Sequence, residues 1–238
     1  MPEQKTAAEK ANPQRIINTL FGKPEMRFVR WFESIAPDWV SPDLMTLIGV
    51  LGSVLILVGY ILTGMHPAFL WLASFGFFLN WFGDSLDGNL ARIRHIERPR
   101  YGYFVDHTVD VVSMVFIFVG LGITPFVDMN YALYTLVAYL MMNIFVYIDT
   151  QVNEKFQISY AKLGPTEGRI LFVVSNTVMY FVGYQTVTLF NTVFTIYDLY
   201  FIFWALFLLG IFLVSVISGS VKLYAEEPPV KYVRPKHE

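Results

Sequence analysis

Residues 44–83 read LMTLIGVLGSVLILVGYILTGMHPAFLWLASFGFFLNWFG, forty consecutive positions without Asp, Glu, Lys or Arg. About 20 apolar residues cross a bilayer, so the stretch is long enough for two spans. The break falls at Thr63-Gly64-Met65-His66-Pro67, where Gly and Pro mark a turn. Just upstream, Ser41-Pro42-Asp43 supplies a helix start, with Ser as N-cap and Pro in the first turn. Downstream, further apolar runs lie at about residues 104–123, 131–148, 170–190 and 199–219. The predicted fold is an all-α polytopic membrane protein with six transmembrane helices. Between residues 23 and 39, Phe28, Trp31, Phe32 and Ile35 recur at helical spacing beside Arg27 and Arg30. That pattern predicts an amphipathic interfacial helix ahead of the first span, the alternative being a helix packed beneath the bundle. The predicted division is a tail and interfacial helix over 1–40, a six-helix domain over 41–220, and a polar tail over 221–238.

Composition points the same way. Charged residues make up 15% of the 238 positions, against a usual ~25%, and Phe alone occupies 22. The chain has no cysteine, which excludes disulfides, thiolate metal sites and cysteine nucleophiles. A net charge of -2 gives no footprint for nucleic acid. The first 20 residues lack the apolar core of a cleaved signal peptide. Charge placement adds topology. The 17 basic residues fall before the first predicted span, after the second, between the fourth and fifth, and after the sixth. The three opposite connections have none, so the positive-inside rule predicts an integral membrane protein with both termini and the 92–103 connection in the cytoplasm.

The most informative acidic residues are Asp84, Asp87, Asp106 and Asp110. Spacings of three and four put each pair on one helix face, and the short connection returns the chain so that four carboxylates can converge near the cytoplasmic boundary. Four such charges in a partly dehydrated setting repel strongly. Arginines or protons could offset them. Hard divalent cations would do so while creating a function, since oxygen-only ligands suit Mg²⁺, Mn²⁺ or Ca²⁺. A carboxylate-bridged metal pair supports transfer at phosphorus. Gly88 and Ala91 expose backbone on the same helix, as Gly102 does beyond it, fitting either ligand access or helix packing. Intramembrane acids also mark ion paths, so a cation or proton transporter is the competing class.

D-S-L-D-G-N-L-A-R at 84–92, followed by G-Y-F-V-D-H-T-V-D at 102–110, resembles the signature of the CDP-alcohol phosphatidyltransferase superfamily. The upstream S-P-D-L-M-T resembles that family's P-N-x-x-T stretch, with Asp43 in place of Asn. The resemblance implies transfer of a substituted phosphate from a CDP-linked donor to an alcohol, with release of CMP. It implies that Asp84, Asp87, Asp106 and Asp110 hold two Mg²⁺ or Mn²⁺ ions, and that Asp110 is the base for the acceptor hydroxyl. It further implies that Asp84, Gly88, Ala91, Arg92 and Gly102 line the cytidine-diphosphate region, and that the protein is a homodimer.

Two donor arrangements fit the pattern. CDP-choline or CDP-ethanolamine can pass its head group to diacylglycerol, or CDP-diacylglycerol can pass phosphatidate to inositol phosphate, glycerol phosphate or serine. The D-H-x-x-D run and Gly164-Pro165-Thr166-Glu167-Gly168 resemble the choline and ethanolamine phosphotransferases, while Tyr103 departs from their acidic residue. His107 is a candidate for assisting proton transfer, or a structural residue at a helix end. Glu167 could contact a cationic head group, cap a helix or face solvent. Arg169 could bind an acceptor phosphate or merely obey the positive-inside rule.

Overall fold

The computed structural model describes residues 14–16, 22–153, 155–157 and 164–229. Among these, seven helices and two small strand pairs occur. In chain order they are β1 (Gln14–Ile16), α1 (Gly22–Ile35), α2 (Pro42–Leu62), α3 (Phe69–Ile93), α4 (Pro99–Ile123), α5 (Met129–Asn153), β2 (Lys155–Gln157), α6 (Pro165–Val182), β3 (Thr186–Leu189), β4 (Thr192–Thr195) and α7 (Ile196–Glu226). β1 pairs with β2 in parallel, and β3 with β4 as an antiparallel hairpin. Most of the predicted N-terminal tail and the tail beyond residue 229 lie outside the described residues.

Six transmembrane helices is not the count the structure supports. Among the described residues four helices, α2, α4, α5 and α7, are long and apolar enough to cross a membrane. Absence of charge is not the same as high hydropathy. α3 lacks charge up to Gly83, yet it is diluted by Gly76, Asn80, Trp81 and Gly83 and then carries Asp84, Asp87 and Arg92. α6 has 18 residues and opens on Pro165, Glu167 and Arg169. The predicted run over 170–190 is also cut short. Gly183 takes φ 71° just past α6, a conformation open to glycine, and the chain turns into the hairpin. Its tip, Phe190-Asn191, has both residues in the left-handed region. α7 then starts at Thr195, whose hydroxyl accepts the Asp198 N–H at 2.9 Å while the Asp198 carboxylate accepts the Thr195 N–H at 2.7 Å. It continues to Glu226, past the predicted end at 219.

α2 and α3 pack backbone to backbone. A Cβ on Gly52 would stand 2.8 Å from the Gly76 carbonyl oxygen, and one on Gly83 would stand 2.7 Å from the Gly49 Cα. Only glycine permits this approach, and it fixes where the end of α3 points. Ser41 caps α2 as predicted, accepting the Leu44 N–H at 3.2 Å. The main apolar core, including Ile56, Phe77, Ile117, Leu121, Leu136 and Met179, fills the space between α2, α3, α4, α5, α6 and the start of α7. A second cluster joins Val29 of α1 to Met45, Leu86 and Leu90. Phe28 packs tilted against Trp81 and Phe32 edge-on against Phe82, while Trp31 and Ile35 stay exposed. The apolar face of α1 is thus divided between packing under the bundle and an outward surface.

Candidate active site

Asp84 and Asp87 project from the C-terminal half of α3, and Asp106 and Asp110 from the N-terminal half of α4. Asp84, Asp106 and Asp110 each offer a carboxylate oxygen, and the three lie within 4.8 Å of one another. Asp87 is not in that set. It lines the same pocket with Thr46, Gly49, Asn80 and Val109, but its oxygens accept from the Thr46 hydroxyl at 2.9 Å and from the Gly88 N–H.

The counter-charge comes from α6. The Arg169 guanidinium is 5% exposed and donates from Nη1 to Asp84 Oδ2 at 2.6 Å and from Nε to Asn80 Oδ1 at 2.7 Å. Its Nη2 lies 3.9 Å from Asp110 Oδ1. Asn80 is itself held, donating to the Gly49 carbonyl at 3.1 Å and to Ser53 Oγ at 2.9 Å. Helices α2, α3, α4 and α6 therefore meet in one polar network at the site.

A divalent cation fits the donor set. Three hard carboxylate oxygens converge, a fourth carboxylate adjoins them, and the chain has no thiolate to compete. Asp84, Asp106 and Asp110 would hold it.

The remaining signature positions lie on the same two helices. Gly88, Ala91 and Arg92 follow Asp84 and Asp87 along one stripe of α3. A Cβ on Gly88 would stand 3.5 Å from the Arg92 guanidinium, which donates to Asn89 Oδ1 at 2.7 Å. Gly102, at the start of α4, faces open space.

With the signature's two arms joined at one pocket, the comparisons with known proteins bear on the same residues. The family model for CDP-alcohol phosphatidyltransferase matches residues 39–211. The chain belongs to this family. It is similar to Cholinephosphotransferase 1 of Xenopus laevis, 32% identical over 108 residues that cover 43% of this chain and 27% of that protein. To Cholinephosphotransferase 1 of Homo sapiens it is 26% identical over 162 residues, covering 66% of this chain and 40% of that protein. To Phosphatidylinositol phosphate synthase of Cutibacterium acnes it is 37% identical over 86 residues, covering 35% and 38% of the two chains. The chain thus spans well under half the length of each of these relatives.

The predicted residues His107 and Glu167, and Asp43 of the upstream stretch, each have defined surroundings. His107 stacks on Tyr103 with ring centroids 4.0 Å apart, and lies beside Tyr147 at 5.0 Å. Its Nδ1 is 3.4 Å from Asp106 Oδ2. Glu167 is buried, and its Oε2 accepts the Gly164 N–H at 2.9 Å, capping α6. Asp43, which stands where the family stretch has Asn, pairs with Arg98.

Sequence reasoning missed Asn80, the orienting hydroxyl of Thr46, and Glu25. The Glu25 carboxylate on α1 accepts from Ser85 Oγ at 2.6 Å and Thr166 Oγ1 at 3.0 Å, joining α1 to α3 and α6 beside the site. Thr46 had a signal, as the Thr of S-P-D-L-M-T. Asn80 had a weaker one, an amide inside an aromatic run. Glu25 had none, because both its partners are distant in sequence.

Proposed function

We propose that this protein is a divalent-cation-dependent phosphotransferase that moves a substituted phosphate from a CDP-linked donor to an alcohol, releasing CMP. The observation that carries the reading is the convergence of Asp84, Asp106 and Asp110, from both arms of the family signature, within 4.8 Å. Divalent cations bound there would neutralise the donor diphosphate and stabilise the departing CMP phosphate.

The chain's own residues supply the rest. The stripe of Gly88, Ala91 and Arg92, together with Gly102 at the start of α4, would receive the nucleotide end of the donor, and Arg92 offers a planar donor group to phosphate. Asp110 accepts the proton of the acceptor hydroxyl as its oxygen bonds to the phosphorus of the transferred group. The bond from that phosphorus to the bridging oxygen breaks, and CMP leaves with the electron pair. His107, near Asp106, assists the proton's passage. Asp87, held by Thr46, serves as the fourth carboxylate of a two-ion site. Glu167 and Arg169 border the acceptor side from α6.

The favoured substrates are CDP-choline or CDP-ethanolamine with diacylglycerol, supported by the similarity to the two cholinephosphotransferases and by His107 within D-H-x-x-D. CDP-diacylglycerol with a small alcohol phosphate is the second reading, favoured by the similarity to the Cutibacterium protein. Residues 41–220 would form the transferase domain. A cytoplasmic site is proposed from charge placement at the two ends of α4, since the 92–103 connection carries Arg92, Arg94, Arg98 and Arg100 while 124–128 has no Lys or Arg. Assembly as a homodimer is proposed from the family resemblance.

Labelled donors separate the branches. Purified protein in liposomes receives labelled CDP-choline or CDP-ethanolamine with diacylglycerol, or labelled CDP-diacylglycerol with glycerol phosphate, inositol phosphate or serine. Label in phosphatidylcholine or phosphatidylethanolamine supports the favoured branch, and label only in a product of the second set replaces it. No CMP from any pair, with folding intact, refutes the transferase reading.

A further inference from the structure

The position of Arg169 is poorly explained by topology or by helix stability. A basic residue retained only for the positive-inside rule belongs at the surface, yet this one is 5% exposed. It also lies in the second turn of α6, close to the positive end of the helix dipole, where a cation is disfavoured. Burial of the guanidinium is offset by Asp84 at 2.6 Å, Asn80 at 2.7 Å and Asp110 at 3.9 Å. Two of those three partners belong to the trio of converging carboxylates.

Counting charge shows the consequence. Asp84, Asp87, Asp106 and Asp110 bring four negative charges, and two divalent cations would match them. Arg169 already supplies one positive charge, so the same two cations would leave the pocket with a positive excess. A donor diphosphate reverses that excess. A unit charge about 4 Å from an ion shifts its binding by roughly ten-fold or more in a site of intermediate dielectric.

Resting on the metal-dependent reading above, we infer that Arg169 is a built-in counter-cation that keeps divalent-ion affinity low in the resting site and makes full loading depend on the donor's anionic phosphates. Arg169 is a positioning residue in this account. Its guanidinium holds Asp84 in place before the ions arrive, and its charge couples ion binding to nucleotide binding. By linkage, whatever factor the nucleotide adds to ion affinity, the ion adds to nucleotide affinity.

The test is a Mn²⁺ titration of the full chain in detergent or nanodiscs, read by electron paramagnetic resonance, with and without saturating CMP. CMP is common to both substrate branches. In the wild type, CMP should tighten Mn²⁺ binding by about ten-fold or more. Arg169→Gln keeps a hydrogen-bond donor and removes the charge. It should bind Mn²⁺ about ten-fold more tightly without CMP, and the CMP effect should shrink to about three-fold or less. Arg169→Lys keeps the charge and should follow the wild type. If Arg169→Gln matches the wild type both in Mn²⁺ affinity and in the CMP effect, Arg169 is only a structural ion pair and the inference fails. Absence of any CMP effect in the wild type also overturns it, whether or not the variants fold. A wild type that binds no Mn²⁺ under either condition refutes the metal-dependent reading itself, which separates the two failures.

Discussion

Helices α3 and α7 are both long, yet they are built for opposite surroundings. α7 is apolar along most of its 31 residues, and only Tyr197, Asp198 and Phe201, all in its first turns, are buried. α3 has 25 residues, falls short of the hydropathy needed to cross a membrane, and buries ten of them. On α7, Leu206, Val214, Ile217 and Val221 point outward, where a membrane protein meets lipid. On α3, glycines press against α2 and the carboxylates turn into the site. Hydropathy therefore passes over α3 and α6, which supply Asp84, Asp87 and Arg169, and picks out α4, which supplies Asp106 and Asp110, together with the outward-facing α7.

That contrast can be broken by substitution, and the largest effect is expected at the site end of α3. Asp84→Asn removes a carboxylate from the converging trio and leaves Arg169 without its closest anionic partner. CMP release should fall by about 10²-fold or more, measured at saturating substrates with folding checked by size-exclusion profile. Activity within a few-fold of wild type would detach the chemistry from this cluster. A middle effect is expected where α3 touches α2. Gly83→Val pushes side-chain atoms against the Gly49 backbone and should lower stability by about 1–3 kcal/mol, seen as a lower thermal midpoint in detergent. An unchanged midpoint would mean that the close approach is dispensable. The smallest effect belongs to α7. Leu213 is 50% exposed, and Leu213→Ala should change stability by no more than about 0.5 kcal/mol and leave CMP release unaltered. A large loss there would reveal a protein contact on that face.

Much of the site was legible because its spacing is local. Asp84 and Asp87 sit three apart, Asp106 and Asp110 four apart, and a short connection brings the two helix ends together. What was not legible depends on contacts between distant segments. Nothing near Arg169 in the chain says that it will be buried against Asp84 and Asn80, more than 80 positions away. Glu25 reaches Ser85 and Thr166 by the same kind of long-range closure. The span count failed for a different reason. Charge-free segments such as 67–83 look like lipid-facing helices until the Gly, Asn and Ser positions are weighed, and those positions serve packing against α2 and hydrogen bonding in the site. The hairpin did carry a signal, since Gly183 can end a helix and the Thr- and Val-rich runs either side of Phe190-Asn191 suit strands.

The most direct test of the acidic cluster as a reaction centre is CMP release by the purified wild-type protein, followed as Mg²⁺ or Mn²⁺ is removed with a chelator and then restored. The expected result is release from a CDP-linked donor and an alcohol acceptor that stops on chelation and returns with the divalent ion. Release that continues at full rate without divalent cations would contradict the account.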